Sequence, residues 1–295
     1  TGRLSVGSDA DEYQDTIAGI NFRGNLPALD FNHEGLTSYS AGDEITSWVN
    51  AGTAGSTHNI SSNSGDPSCS EDAAFSNLSK KAANLTGNDE HFIVPGFTAV
   101  DDYTLYIVLG TTFPPMCVYG DAAGQTVGFG ARYPSGTDFT ITNVIDRRYS
   151  FSVRHNGIEG AVATTQTDNT DNGTVSYKWP DSQIQNYVVA DSEPEVFIVR
   201  RDKNFNMLLH NKNGDIIGFI PAKTKAADPD LTKDSASRTD GNLLIERLGT
   251  VKDLTSLPGG IGFRGYIGRF GVIPQDIGVS KARLLAQDLF KFYKP

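Results

Sequence analysis

Cysteine is scarce in this 295-residue sequence, which contains only Cys69 and Cys117. Small secreted domains depend on a framework of several disulfides, and two distant cysteines cannot supply one. A chain of this length buries about three-quarters of its unfolded surface, so its core does not need a disulfide. Two alternatives stay open for the pair: a single bridge, or two free thiols in a chain that folds in a reducing cytoplasm.

Long apolar runs are lacking as well. No segment approaches the roughly 18 apolar residues that a membrane-spanning helix requires. The first four residues, Thr-Gly-Arg-Leu, contain no hydrophobic signal core. We therefore expect no membrane insertion and, if Thr1 is the mature start, export by another route or no export.

Basic residues are outnumbered, with 25 Lys and Arg against 35 Asp and Glu and a net charge of -10. Nucleic-acid binding depends on clustered Lys and Arg that release counterions from the phosphate backbone. The adjacent basic pairs are isolated doublets: Lys80-Lys81, Arg147-Arg148 and Arg200-Arg201. We expect no nucleic-acid partner.

Sequence motifs of catalysis are also missing. Glycoside hydrolysis requires two carboxylates about 5–9.5 Å apart, and no Glu-x-Asp-x-Glu run that would present them on one strand occurs. The nearest spacing, Glu193-Pro194-Glu195, contains a proline that is typical of a strand start. The five histidines share no metal-binding spacing, and there is no Gly-x-Ser-x-Gly elbow. We predict that the chain is not an enzyme and requires no cofactor.

Many short strands are what the sequence does contain. The 31 glycines and 13 prolines are not periodic and suit turns between strands. The segment 103–109 is nearly all apolar, which predicts a strand buried on both faces, and Asn213-Gly214 predicts a two-residue hairpin turn. The other segments predicted as strands are 26–32, 43–50, 82–85, 90–94, 126–130, 138–142, 149–154, 195–200, 206–210, 216–220, 243–246 and 265–273.

The strands are interrupted by three polar segments, 51–72, 161–176 and 222–241, which predict long loops. Connections of this length are often functional. After the last strand, residues 280–292 place Leu285, Leu289 and Phe292 at helical spacing. This predicts one C-terminal amphipathic helix with Ser280 as its cap.

The first 25 residues are polar and lack a helix or strand period. They predict an extended N-terminal arm, which either frays or packs on a neighbouring subunit. Deletion of residues 1–25 is expected to leave the remaining domain folded and to abolish assembly.

Several sequence segments resemble one family when taken in order. They are Leu26-Pro-Ala-Leu-Asp-Phe31, the segment around Ile45 and Trp48, Gly87-Asn-Asp-Glu-His-Phe-Ile-Val-Pro95, Asp101-Asp-Tyr-Thr-Leu-Tyr-Ile-Val-Leu-Gly110, and the closing segment 263–273 followed by a helix that ends near Tyr293. Over roughly residues 26–295 the chain resembles the concanavalin A-like (laminin-G-like) jelly-roll domains of phage and bacterial surface proteins. Arg269 stands where the closing strand of that family commonly has an acidic residue.

The resemblance implies a fold and a domain division. The fold is an all-β, concanavalin A-like antiparallel β-sandwich with a short C-terminal helix. Residues 1–25 would form the extended arm, and residues 26–295 the sandwich with its helix.

The resemblance also implies a non-enzymatic virion structural or surface protein: a phage capsid decoration, head fibre or tail component. Such a protein is made in the host cytoplasm and lies on the virion surface, with other virion proteins and copies of itself as partners and host surface glycans as a further contact. The alternative is an extracellular carbohydrate-binding module or lectin that recognises a cell-surface polysaccharide.

Candidate sugar-binding residues are aromatic side chains next to polar ones. Tyr177, Trp179 and Asp181 lie within five positions of one another, and Tyr133 lies in a Gly- and Pro-containing segment. An exposed aromatic ring next to a polar side chain is typical of sugar sites, but ordinary burial explains Trp179 equally well. Trp48 is predicted to belong to the core.

A calcium site is the one metal site that the sequence favours. Asp side chains and loop carbonyls are the hard oxygen ligands that Ca²⁺ prefers. The first candidate set lies in the third polar segment and consists of Asp228, Asp230, Asp234 and Asp240; Asp101-Asp102 and the segment 202–206 are further candidates. Acidic loops of an acidic protein are also often only solvated, so both interpretations stay open.

Overall fold

The structure is a computed structural model that describes twelve stretches of the chain. They are residues 15–71, 76–86, 90–99, 102–110, 127–132, 137–144, 148–155, 174–177, 193–204, 206–220, 243–248 and 264–295. In these stretches the strands pair antiparallel and one long helix closes the chain. The predicted antiparallel β-sandwich with a C-terminal helix is confirmed.

Strands are numbered β1 to β17 in chain order. The first two, β1 (Thr16–Ile17) and β2 (Ile20–Asn21), form a small hairpin. The eight-stranded sheet contains β3 (Leu29–Phe31), β5 (Ser68–Ser70), β6 (Ala82–Thr86), β8 (Tyr103–Gly110), β13 (Glu195–Arg201), β14 (Met207–His210), β15 (Ile216–Ile220) and β17 (Arg264–Ile273). Its order is β15-β14-β13-β8-β17-β6-β5, with β3 also paired to β17.

The seven-stranded sheet lies on the other side of the sandwich core. It contains β4 (Ser62–Ser64), β7 (His91–Ala99), β9 (Val127–Arg132), β10 (Thr137–Val144), β11 (Arg148–His155), β12 (Thr174–Tyr177) and β16 (Leu243–Leu248). Its order is β12-β11-β10-β9-β16-β7-β4, so β9 is the central strand. Two short 3-10 turns, His33–Leu36 and Ser56–His58, lie between β3 and β4.

The two faces of β8 belong to two different cores. All eight of its residues are buried, which confirms the prediction from its apolar run. Leu105 and Ile107 belong to the core between the two sheets, whereas Tyr106 and Val108 pack under the C-terminal helix. Successive side chains of a strand point to opposite faces, so the eight-stranded sheet is the middle of three layers.

The outer layer is helix α1, Gly278–Tyr293. Its buried side chains are Ala282, Leu285, Ala286, Leu289 and Tyr293, at the spacing of one helix face. The prediction of Ser280 as the cap is wrong, because the helix begins two residues earlier and Ser280 is exposed. The first backbone N–H, that of Gly278, instead donates to Asp276 Oδ1 at 3.1 Å.

The N-terminal hairpin packs on the same layer as α1. Ile20 is 1% exposed and Phe22 is 4% exposed, and both belong to the core under the helix. The Arg23 guanidinium donates to the Asp288 carboxylate on α1. Residues 15–25 are thus part of the packed fold, while residues 1–14 lie outside the described residues and the division into an arm and a domain stays a prediction.

Some predicted boundaries of strands and loops are corrected. The segment 51–72 was expected to be one loop, but it contains the edge strands β4 and β5. The segment 43–50 forms only isolated bridges, such as that between Trp48 and Ile60, instead of a continuous strand. Trp48 is fully buried in the core as expected, and its indole Nε1 donates to Asn32 O at 2.8 Å.

An Asn-Gly hairpin joins β14 to β15, but the predicted two-residue turn is wrong: β14 ends at His210, β15 begins at Ile216, and the Asn211 N–H donates to Asp215 O at 3.0 Å. Gly214 has φ +80°, which favours glycine, and its N–H donates to Asn211 O at 2.8 Å. The Asn211 side-chain oxygen accepts from the backbone N–H groups of Asn213 and Asp215, each at 3.0 Å. The side chain of Asn211, which precedes the turn, therefore stabilises it.

Cys69 lies in β5 and is buried in the core between the sheets, where burial raises the pKa of its thiol. It forms no disulfide with another described residue. Cys117 lies outside the described residues, so the alternatives for this pair stay open. In the stretches that the structure describes, no helix combines the length and apolar character needed to cross a bilayer.

Candidate functional site

A buried polar cluster lies where the closing strand meets the opening strand. Arg269 donates to Asp30 through two parallel hydrogen bonds, Nε to Oδ1 and Nη2 to Oδ2, both at 2.7 Å. Tyr106 Oη also donates to Asp30 Oδ1 at 2.7 Å, and burial raises the pKa of this phenol well above its usual range. All three side chains are inaccessible to solvent. The cluster is charge-balanced and sealed, so it joins elements of the fold and cannot receive a ligand.

A second cluster gathers the two carboxylates that the sequence analysis singled out. Lys212 Nζ donates to Glu193 Oε2 at 2.9 Å and to Glu195 Oε1 at 3.2 Å. Lys294 Nζ donates to the other oxygen of Glu193 at 2.9 Å, and the two lysines lower the pKa of Glu193 to about 2. A general acid of a glycosidase needs a raised pKa instead. Glu193 and Glu195 thus have the contacts of a structural ion cluster.

A third polar cluster lies before the C-terminal helix. Arg200 donates to both carboxylate oxygens of Asp276, at 2.6 Å and 2.8 Å. His210 is fully buried, and burial lowers the pKa of its imidazole. A neutral ring that donates from Nδ1 to Gly214 O at 3.1 Å leaves Nε2 to accept from Arg200 at 3.4 Å. Both ring nitrogens are occupied, so this histidine is not available as a general base.

The seven-stranded sheet has a different arrangement, which its register and the burial of its described edge reveal. Phe92 pairs with Leu248 across β7 and β16, and both are 0% exposed. The neighbouring residue of β7, Ile93, pairs with Arg247 on β16 and with Ser62 on β4. Ile93 is 42% exposed, and Ser62 is also exposed. Since alternate strand positions belong to opposite faces, Arg247 occupies a position of the same set as the exposed Ile93, opposite to the set of Phe92 and Leu248.

The set of positions that contains Ile93 continues through the register of the neighbouring strands. Leu248 pairs with Ala131, which fixes the alternation on the central strand β9. The positions of this set carry glycine, serine and threonine in paired rows: Gly128 with Thr142 and Ser150, and Gly130 with Thr140, Ser152 and Ser176. We call these seven positions the polar face.

The polar face combines two features that suit a hydroxylated ligand. Serine and threonine hydroxyls both donate and accept hydrogen bonds. Glycine in a strand interior often marks a position where a ligand or another backbone approaches closely, and two such glycines stand on the central strand. These residue types suit a ligand with many hydroxyl groups, and none of the seven residues titrates near neutral pH.

Most of the predicted sugar-binding residues lie outside the described residues: Tyr133, Trp179 and Asp181. Tyr177 is the last residue of β12 and pairs with Phe151, next to the Ser152–Ser176 pair of the polar face. In the alternation of β12, Tyr177 shares the position type of Val175 and therefore belongs to the face of the sheet opposite to that of Ser176. A role for Tyr177 in ligand binding stays a prediction.

The four predicted calcium ligands, Asp228, Asp230, Asp234 and Asp240, also lie outside the described residues. Within the described residues, no group of three or more His, Cys, Asp or Glu side chains could hold a metal ion. Of the further candidates, Asp102 Oδ2 accepts from Asp276 N at 2.8 Å, and Asp202 Oδ1 accepts from the backbone N–H groups of Asn204 and Asn206 at 2.8 Å and 2.9 Å. Calcium binding stays a prediction.

The polar face itself was missed by the sequence analysis. Its signal is nevertheless present as Gly-x-Gly, Thr-x-Thr and Ser-x-Ser in three successive strands, β9, β10 and β11. A period of two shows that such residues share a face, but only the sheet register shows that the three pairs align and that they share the set of positions of Ile93.

Solved structures provide a comparison for the fold. The chain is similar to the CBM40 of the Ruminococcus gnavus IT-sialidase bound to α2,3-sialyllactose, with 13% identity and a TM-score of 0.39 over 70% of this chain and 96% of that one. It is similar to domain 4 of AbnA, a GH43 extracellular arabinanase from Geobacillus stearothermophilus, in complex with arabinotriose, with 12% identity and a TM-score of 0.46 over 89% and 98%. It is also similar to the botulinum neurotoxin serotype D ligand-binding domain in complex with N-acetylneuraminic acid, with 11% identity and a TM-score of 0.47 over 92% and 52%.

Sequence comparison adds no assignment. No family model matches the chain. No curated protein matches it either. The structural likenesses, with identities of 11–13% and TM-scores of 0.39–0.47, assign no function to this chain.

Proposed function

We propose that this chain is a non-catalytic, carbohydrate-binding β-sandwich domain that binds a glycan on the polar face of its seven-stranded sheet. The observation that carries the proposal is the register that pairs Gly128 and Gly130 of the central strand with Thr142 and Thr140, on the same alternating set of positions as the exposed Ile93. Glycines there let a ligand reach the backbone, and the flanking hydroxyls are hydrogen-bonding partners for sugar hydroxyls.

The state of the described carboxylates agrees with a binding role. The one described pair with suggestive spacing, Glu193 and Glu195, is engaged by Lys212. With a pKa of about 2, Glu193 is ionised at every ordinary pH and has no proton to donate to a leaving group. The absence of an enzymatic activity stays a prediction for the whole chain.

The placement on a virus particle rests on the sequence resemblance alone. Virion partners, a virion-surface location and copies of the chain as partners follow from that resemblance and stay predictions, as does the extracellular alternative. Glycan binding does not depend on which of them holds.

The proposal is tested by glycan-array binding of the purified chain, once with calcium and once with a chelator. We expect binding to a defined glycan class, and we expect Gly130→Val to abolish it, because a β-branched side chain keeps the strand but blocks close approach. Ser62→Val is the matched control, since it adds a similar side chain on the same face at the edge strand β4.

Each outcome of the array has one meaning. Binding that Gly130→Val removes and Ser62→Val retains supports the polar face, provided that both variants melt as cooperatively as the parent. Binding that survives Gly130→Val places the site elsewhere, and a folded chain that binds no glycan in either buffer refutes the proposed function. Dependence on calcium would support the site predicted at Asp228–Asp240.

A further inference from the structure

The His33 imidazole packs against the end of helix α1. His33 is the first residue of the 3-10 turn His33–Leu36, which follows β3. The centroid of its ring lies 5.5 Å from that of the Phe292 ring and 6.2 Å from that of the Tyr293 ring. Phe292 and Tyr293 are the last two residues of α1. A single titratable ring therefore contacts the turn in which the helix ends.

The last turn of α1 is also bound to the segment that precedes β6. Ser79 donates from its backbone N–H to Tyr293 O at 2.9 Å and from its hydroxyl to Phe292 O at 3.0 Å. Lys80 Nζ lies 5.0 Å from the centroid of the Phe292 ring. The N-terminal hairpin reaches the same ring through Gly19, where a Cβ atom would collide with it. Release of this turn would thus break contacts with the 3-10 turn, the segment before β6 and the hairpin.

The buried nitrogen of His33 favours the neutral ring. Among the described residues, its Nδ1 is inaccessible to solvent and has no hydrogen-bond partner. A neutral imidazole can leave Nδ1 without a proton, whereas the charged imidazolium carries an N–H at both nitrogens. A buried N–H without an acceptor costs its desolvation energy, and the cost is larger for a charged group. Tyr293 does not balance the charge, because burial raises the pKa of its phenol and keeps it neutral.

The charged groups around His33 lie on its own turn and on three other elements. Burial lowers the pKa of the imidazole below its usual 6.5. Glu34 of the same turn raises the pKa, Arg269 from β17 and Lys80 lower it, and a carboxylate of β3 raises it. That carboxylate, Asp30, already accepts two hydrogen bonds from Arg269. Because the folded chain disfavours the charged ring, the contribution of His33 to stability is complete above pH 6.5 and is lost as the pH falls below it.

We propose that His33 is a pH-sensitive switch: in mildly acidic solution, protonation of its ring releases the last turn of α1 and exposes the Phe292 and Tyr293 rings. The charge arises near two cations, Lys80 and Arg269, and Lys80 already lies over the Phe292 ring. A terminal turn opens at a lower free energy than the whole domain, so the release precedes unfolding. The inference does not depend on the proposed glycan binding.

The test is amide hydrogen exchange of the full chain, followed by NMR at pH 7.5 and at pH 5 and corrected for the intrinsic effect of pH on exchange. The reporters are the amides of Ser79 and Lys294, which donate to Tyr293 O and Phe290 O. We expect their protection to fall about tenfold at pH 5, because this pH lies more than one unit below the ordinary pKa of 6.5. The amide of Leu285, in the middle of α1, should keep its protection.

His33→Phe is the first variant, since it keeps a ring against Phe292 and Tyr293 but cannot be protonated. His33→Gln is a second neutral variant that does not depend on how a phenylalanine packs. In both variants we expect the protection at pH 5 to equal that at pH 7.5. His58→Gln is the matched control, because His58 ends the other 3-10 turn and its ring lies 5.7 Å from that of Phe97. This control should lose protection at pH 5 as the parent does.

Five results would overturn the inference. The first is unchanged protection of the reporters in the parent at pH 5, and the second is a loss that persists in both His33 variants. Equal loss at Leu285 would indicate acid unfolding of the whole domain, and loss of the response in His58→Gln would assign it to another group. Low protection of both neutral variants already at pH 7.5 would show that ring packing, and not charge, holds the turn.

Discussion

Single ionisable residues hold the eight-stranded sheet to the C-terminal helix. Lys212 is 9% exposed and lies between Glu193 and the fully buried Glu195, whereas the Lys294 side chain is 49% exposed and forms an ion pair with the other oxygen of Glu193. Because the folded-state pKa of Glu193 is depressed from 4.5 to about 2, its contribution to stability is complete above pH 4.5 and is lost as the pH falls toward 2.

The difference between these two lysines gives the first prediction at this scale. Lys212→Met should lower the free energy of unfolding by about 3 kcal/mol, because it removes the cation from a buried carboxylate. Lys294→Met removes an exposed cation from the same cluster and should cost less than about 1 kcal/mol. Urea unfolding at pH 7 measures both; equal losses would mean that the buried carboxylate does not depend on Lys212.

At the scale of elements, the N-terminal hairpin and helix α1 form one layer. Ile20 and Phe22 are buried together with Leu285 and Leu289. Arg269, from the closing strand, donates to the backbone oxygen of Ile17 at 3.0 Å. The hairpin is thus bound to the sheet by apolar packing and by a buried guanidinium, and its removal would expose both.

This packing changes the outcome expected from deletion of residues 1–25. Burial of an Ile or Phe side chain is worth about 1.5–3 kcal/mol, so we now expect the deletion to lower the free energy of unfolding by about 3 kcal/mol or more. A variant that lacks only residues 1–14 serves as the reference, and the difference between the two isolates residues 15–25. Similar unfolding curves would contradict the role of the hairpin. Light scattering on the folded reference variant tests the predicted assembly.

At the scale of the whole molecule, two cores share the eight-stranded sheet. Leu289 lies under the helix and Trp48 lies between the two sheets, on opposite sides of β8. Because β8 and β13 contribute side chains to both cores, loss of either core should unfold the other. The domain is therefore expected to unfold in one cooperative transition.

A cavity under the helix tests this coupling. Leu289→Ala should lower the free energy of unfolding by about 3 kcal/mol and should shift the fluorescence transition of Trp48 together with the helix signal in circular dichroism. A Trp179→Phe background makes Trp48 the reporter. Leu284→Ala, on the same helix at 42% exposure, is the control and should change stability by less than about 0.5 kcal/mol. Loss of the helix signal before the Trp48 transition would show that the two cores unfold separately.

Local patterns in the sequence predicted the elements whose physical cause is local. The apolar run 103–109 indicated a strand buried on both faces, residues 280–292 indicated the helix, and Asn213-Gly214 indicated a hairpin. In each case the periodicity or the turn conformation of a few neighbouring residues decides the structure. The all-β class follows from the number of such segments.

The tertiary structure alone decided which distant residues meet. Arg269 and Asp30 are 239 positions apart, and no local pattern pairs them. The helix begins at Gly278 instead of at Ser280, and the Asp276 carboxylate that accepts from the Gly278 N–H is held in place by Arg200 on another strand. The polar face likewise exists only in the register of β9, β10, β11 and β16, since a shift of one residue in any pairing would move its positions to the other face of the sheet.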